Sequence, residues 1–166
     1  DGLEDAPRQH PGRGAHGPAL DAGRVLLRLR TLAAELFGAS PERVVLTTSA
    51  THALNLAIAG LLDPGDHAVT TDLEHNSVLR PLYTARARGA ELTIVASERG
   101  VVSPDAVAAA LRPQTRLVAL THASNLLGTV QPVAEIAAVC AERGGTLVVD
   151  AAQTVGLLPL DLRSLP

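Results

Sequence analysis

The chain has 166 residues, with 14 basic and 17 acidic side chains and a net charge of −3. The length suits one domain with a substantial core, and without a basic run nucleic acid is not expected as a partner. No apolar run reaches membrane-spanning length, the start DGLEDAPRQHPGRG is polar rather than signal-like, and the lone Cys140 fits a reducing compartment, so a soluble, cytoplasmic chain is expected.

Taken in chain order, residues 1–18 are rich in Gly and Pro and read as extended. Over 19–37, Val25, Leu29, Leu32 and Leu36 recur at helical spacing, and Gly38 supplies a stop. RVVLTT (43–48) is a β-branched run and predicts a strand. Ser49 can cap the helix THALNLAIAGLL, and DPGD puts Pro64 and Gly65 where a type II turn wants them. HAVTT (67–71) predicts a strand, a helix should follow before Gly89, and ELTIV (91–95) is the next strand. SPDAVAAALR places Ser at a cap and Pro at the first helical position. RLVALTH (116–122) is a strand, PVAEIAAVCAERG a helix, and TLVVD the last clear strand. Strand and helix alternate and the strands are continuously apolar. The expected fold is therefore α/β, a mainly parallel sheet with helices on both faces.

In such sheets ligands sit beyond the carboxyl ends of the strands. Four segments leave strand ends with reactive or polar residues: TTSATHALN, TDLEHNS, THASNLLGT and VVDAAQT. The first offers helix-start N–H groups at Ser49, Ala50 and Thr51, suited to a phosphate, although Ser49 could be only a cap. His75 could stack on a planar ring, act as an acid or base, or simply be a bonded loop histidine. Asn125 could contact a ligand or close its own turn beside Gly128. VVDAAQT is the strongest segment. Asp150 ends an apolar strand read as buried and so needs a partner, Ala151 and Ala152 leave room for something flat, and Gln153 can turn back to the same cavity. The six histidines form no metal-binding spacing, so no metal site is expected.

Two apparent motifs lack their context. GRGAHG matches G-x-G-x-x-G but follows no apolar strand, and TLVVD as a nucleotide-binding strand would need a P-loop lysine, which this chain does not have. Cys140 falls on an amphipathic helix and reads as a buried structural thiol.

In order and spacing, TTSATHALN, LEHNSVLRPL, THASNLLGTVQPVAEI and GTLVVDAAQTVGLLPLD resemble the class V branch of pyridoxal phosphate enzymes, and within it the cysteine desulfurase group. The resemblance implies the three-layer large domain of fold-type I, with 1–18 as a segment near the substrate entrance and 19–166 as part of the cofactor domain. It implies that Asp150 bonds the pyridine nitrogen and Gln153 the phenolic oxygen. His75 would stack over one face of the ring and serve as the catalytic side chain, with Ala152 on the other face. Ala50 and Thr51 would hold the phosphate, and Asn125 would reach the phenolic oxygen or the substrate carboxylate. PGRGAH resembles a looser motif that would bring Arg13 and His16 to the substrate. His52 departs from the glutamate frequent at that position.

The activity implied is transfer of sulfur from L-cysteine as a persulfide, leaving alanine, in a homodimer serving a sulfur-acceptor protein. An aminotransferase, selenocysteine lyase or other lyase of the class would present the same cradle, and a non-catalytic remnant would keep the fold alone. The chain contains no Met and no Lys. It is therefore expected to be a piece, without the C-terminal small domain, the catalytic cysteine, the carboxylate-binding arginine or the lysine of the internal Schiff base. Alone it is expected to be inactive.

Overall fold

A computed structural model describes residues 17–166. Arg13 and His16, expected at the substrate entrance, lie outside the described residues. The chain divides into two compact units, one of residues up to Leu46 with Leu160–Arg163, the other Thr47–Pro159 with Ser164–Pro166.

In the first unit, helix α1 (Gly17–Phe37) begins two residues earlier than expected, with Pro18 in its first turn, where the fixed φ is compatible with the helix. It stops at Gly38, whose φ is +66°. The stripe that predicted the helix is nonetheless exposed: Val25, Leu29, Leu32 and Leu36 all face outward, while only Ala19 and Ala34 are buried on α1. Periodicity reported the helix and not its packing. The strand expected over 43–48 is corrected. Pro41–Arg43 forms one 3₁₀ turn and Val44–Thr48 has no regular structure. Val44 is extended, as a β-branched residue prefers, but no strand among the described residues lies beside it to pair, and Val45 is 74% exposed.

The second unit carries α2 (Ala50–Leu61), β1 (His67–Thr71), α3 (Asn76–Ala87), β2 (Glu91–Val95), α4 (Pro104–Ala110), β3 (Thr115–Thr121), α5 (Val133–Arg143) and β4 (Thr146–Asp150). The four strands make one parallel sheet in the order β2-β1-β3-β4. The step from β1 to β2 runs opposite to the steps from β2 to β3 and β3 to β4. Right-handed crossovers therefore put α3 on one face and α4 and α5 on the other. Ala68, Leu117 and Ala119 join Leu54 and Ile58 of α2, Leu62 just past its end, and Val78 and Leu82 of α3 in one buried cluster. Side chains alternate along a strand, so Val69, Val118 and Leu120, also buried, serve the face of α4 and α5. Cover on both sides explains why β1 is buried throughout and β3 everywhere but at Arg116.

Local signals were followed closely at several joins. Asp66 N–H bonds Asp63 O at 3.1 Å and Gly65 has φ +92°, closing the expected turn. Ser103 takes the cap position before Pro104, yet its hydroxyl makes no cap bond. Cys140 is buried, and burial pushes its thiol up to about 11, so it is structural. The reading of TLVVD as a buried strand needs correction: Thr146 is exposed and Leu147–Asp150 are half-buried, because β4 is the outermost strand of the described sheet and pairs only with β3.

At the opposite end of the sheet, His67 is fully buried between two threonines, with Nδ1 2.7 Å from Thr115 Oγ1 and Nε2 2.8 Å from Thr93 Oγ1. Burial holds its pKa below the ordinary histidine value, so this ring stays neutral and ties β1 to both neighbours.

Candidate functional site

The strand order reverses between β1 and β3, and a crevice opens at the carboxyl ends of such a pair. There the seven cofactor positions of the sequence reading come together. Ala50, Thr51, His75, Asn125, Asp150, Ala152 and Gln153 all line one cavity of about 180 Å³, joined by Ser77, Thr121 and Ala123. A larger cavity of about 390 Å³ between α2 and α3 is lined by Leu56, Leu62, Pro64 and Pro81 and by His52, and contains none of those seven.

Each wall has a local cause. At the start of α2, Ser49 is the cap: its Oγ accepts from His52 N–H at 3.1 Å and its carbonyl from Ala53 N–H at 3.1 Å. A helix leaves four N–H groups without intrahelical partners. Ala53 N–H makes the first intrahelical bond and the cap takes that of His52, while those of Ala50 and Thr51 have no partner among the described residues. His75 caps α3 in turn, its Nδ1 accepting from Ser77 N–H at 3.1 Å with Ser77 Oγ at 2.8 Å. The neutral ring therefore carries its hydrogen on Nε2.

Asp150 is half-buried. Its Oδ1 accepts from Ala152 N–H at 3.0 Å, and this bond starts the turn that brings Ala152 and Gln153 back to the cavity. The turn is pinned from beneath by His122, which the sequence reading left without a role. The backbone N–H of His122 bonds Asp150 O at 2.9 Å, and its Nδ1 lies 2.8 Å from Thr154 Oγ1. Burial lowers the pKa of His122, favouring the neutral ring.

Asn125 rides on a loop clipped by Ser124 N–H to Thr129 O at 3.0 Å and Gly128 N–H to Ser124 O at 2.9 Å, with Gly128 at φ +69°. Buried Gln131 braces the loop against the segment after β2. It accepts from Val102 N–H at 2.9 Å and donates to Gly100 O at 2.9 Å. Arg99 and Gly100 both have positive φ, in a two-residue hairpin between Glu98 and Val101. A Cβ on Gly100 would lie 2.8 Å from Leu127 Cδ1 and 3.1 Å from Thr129 Cγ2. Gly100→Ala should therefore cost about 1–2 kcal/mol and loosen the Asn125 loop, measurable as a lower urea midpoint with faster amide exchange over 123–130.

The sequence reading also missed Glu74, Ser77 and Thr121. Glu74 is 7% exposed and its Oε1 accepts from Thr71 Oγ1 at 2.7 Å and from Thr121 N–H at 2.9 Å. Burial first, and the Asp150 charge in smaller measure, push its carboxyl up to about 7, against the lowering effect of those two donors. A Glu beside a histidine in a loop gives no sequence signal of burial.

The donor set fits pyridoxal phosphate. Two free helix-start N–H groups suit a phosphate, a strand-end carboxylate suits a protonated ring nitrogen, and an imidazole and a small Ala line the same cavity. Among the described residues no cluster of His, Cys, Asp and Glu could hold a metal ion, and no helix is long and apolar enough to cross a membrane.

A doubly covered parallel sheet with these groups gathered at its switch point defines an α/β protein with a small-ligand site. More particularly, the chain belongs to the aminotransferase class-V family, whose profile it matches over residues 7–166. It is 39% identical over 156 residues to a protein of Methanothermobacter thermautotrophicus named "Probable cysteine desulfurase", covering 93% of this chain and 39% of the relative. Among solved structures it is similar to SspA in complex with cysteine, at TM-score 0.87 and 33% identity over 92% of this chain and 45% of that one. It is also similar to a C-DES variant with glycine covalently linked to the PLP cofactor, at TM-score 0.81 and 30% identity over 92% of this chain and 43% of the other. The chain thus spans well under half the length of these relatives.

Proposed function

We propose that this chain is the cofactor-cradling segment of a pyridoxal phosphate-dependent cysteine desulfurase, which removes sulfur from L-cysteine as a persulfide and leaves alanine. The observation that carries this reading is the convergence of Asp150, His75 and the free N–H groups of Ala50 and Thr51 on one cavity. Likeness to SspA with cysteine and to a PLP-bearing C-DES variant supports it. A cytoplasmic homodimer working with a sulfur-acceptor protein completes the proposal, with Arg13 and His16 at the substrate entrance.

When bound, pyridoxal phosphate supplies an electron sink for bond breaking at the substrate α-carbon. The roles of this chain's residues follow from their partners. Oδ1 of Asp150 is engaged by Ala152 N–H, which leaves Oδ2 to accept the ring N–H and keep that proton in place. Ala50 and Thr51 N–H groups would hold the phosphate, aided by the helix dipole. Gln153 would donate its amide to the phenolic oxygen, and Asn125 to that oxygen or to the substrate carboxylate. His75, fixed by Ser77, would cover one ring face while Ala152 closes the other. The chain has no lysine, so covalent anchoring of the cofactor would draw on a residue outside these 166.

Equilibrium dialysis tests the cradle directly. Pyridoxal phosphate should bind the chain, and Thr51→Asp, which sets a negative charge at the helix start, should weaken binding tenfold or more, on the order of 1.4 kcal/mol. Pyridoxal, lacking the phosphate, should bind weakly and be insensitive to this change. Equal loss for both ligands would move the phosphate elsewhere.

A further inference from the structure

The β1–β3 ladder pairs His67 with Thr115, Ala68 with Leu117 and Val69 with Val118, and then stops, two residues short of the end of β1. Beyond it the strands are tied by side chains, first by Thr70 Oγ1 donating to Ala119 O at 3.1 Å. Glu74 ties their ends, since its Oε1 takes both the hydroxyl of Thr71, the last residue of β1, and the backbone N–H of Thr121, the last residue of β3. Thr121 is in turn the register partner of Asp150 on β4, and Glu74 immediately precedes His75. The second oxygen, Oε2, is buried and has no hydrogen-bond partner among the described residues.

An ionised carboxylate with one orphaned oxygen in the interior is far costlier than a neutral carboxylic acid in the same place. Among the described residues, the surrounding titratable groups offer no compensating cation. Asp72 of the same turn is engaged with Ser97 N–H, His75 with Ser77 and His122 with Thr154. From β4 comes Asp150, a like charge that further disfavours ionising Glu74.

We propose that Glu74 is a positioning residue, an uncharged carboxyl wedge between β1 and β3 that sets Asp150 and His75 in place and leaves Asp150 as the one negative charge facing the ring nitrogen. The inference rests on the pyridoxal phosphate reading for its purpose, and on the geometry alone for the state of Glu74. The sign of its pH effect follows. A carboxyl whose folded pKa is raised lends stability that is complete below the unfolded value of 4.5 and is lost as pH rises through about 7.

Two measurements on the full 166-residue chain test this. Carbon-13 NMR of labelled glutamate carboxyls, with the Glu74 signal identified by its loss in Glu74→Gln, should give a midpoint near 7 that falls in Asp150→Asn. A midpoint in the ordinary carboxylate range, or one indifferent to Asp150→Asn, overturns the proposal. In dialysis at pH 6, below that midpoint, Glu74→Gln should bind pyridoxal phosphate within about threefold of the unaltered chain, whereas Glu74→Ala should lose about tenfold or more. Should Glu74→Ala fail to fold, Glu74→Gln still decides, because a tenfold loss there would mean that a charge is required. If the unaltered chain binds no pyridoxal phosphate, the cofactor reading falls while the titration still rules on Glu74.

Discussion

Asp150→Asn should leave pyridoxal phosphate bound within a few-fold and reduce turnover of the complete enzyme on the order of a hundredfold or more. The asparagine keeps the shape of the side chain. Its Oδ1 can still accept from Ala152 N–H, so the turn that presents Ala152 and Gln153 should survive. The phosphate anchor proposed at Ala50 and Thr51 would be untouched. What would disappear is the negative charge proposed to hold a proton on the ring nitrogen, and with it the depth of the electron sink. Binding and chemistry should therefore separate in one variant. Alanine release from cysteine with undiminished rate would refute the role given to Asp150, and loss of the cofactor itself would recast that residue as an anchor.

The largest effect on the fold is expected from Leu117→Ala, at about 2–5 kcal/mol. Leu117 is fully buried in β3, is paired with Ala68 on one side and Thr146 on the other, and belongs to the cluster with Leu54, Ile58 and Leu82. A domain's whole stability is about 5–15 kcal/mol, so the variant should be marginal. Urea unfolding at pH 6 reads the difference. Val45→Ala, at a site 74% exposed, should stay within about 0.5 kcal/mol and serves as the control. Similar midpoints for the two variants would contradict the placement of the core.

The second unit was legible because its signals are local. Ser49, the Pro64-Gly65 turn and Gly128 announce themselves through backbone chemistry that tertiary contacts reinforce, and the β-branched runs at 67–71 and 115–121 found partners. The run at 43–48 carried the same propensity and found none, so propensity alone was insufficient. The exposed stripe of α1 marks the same limit, since periodicity reports which residues share a face but not what that face meets. At the site, residues named by motif order converged on one cavity, whereas Glu74 was not singled out and His122 was given no role. Their roles rest on bonds to residues 47 and 32 positions away, which no local pattern encodes.

The cap that His75 provides to α3 has one more effect. A side chain serving as the first hydrogen-bond acceptor of a helix cannot spin about its own axis without fraying that helix, so its plane is set before any ligand arrives. Immobilising a free side chain on binding costs roughly 0.5–1.5 kcal/mol. Here that ordering is completed when α3 forms, and the aromatic ring proposed to bind there would meet a surface already held at a fixed tilt.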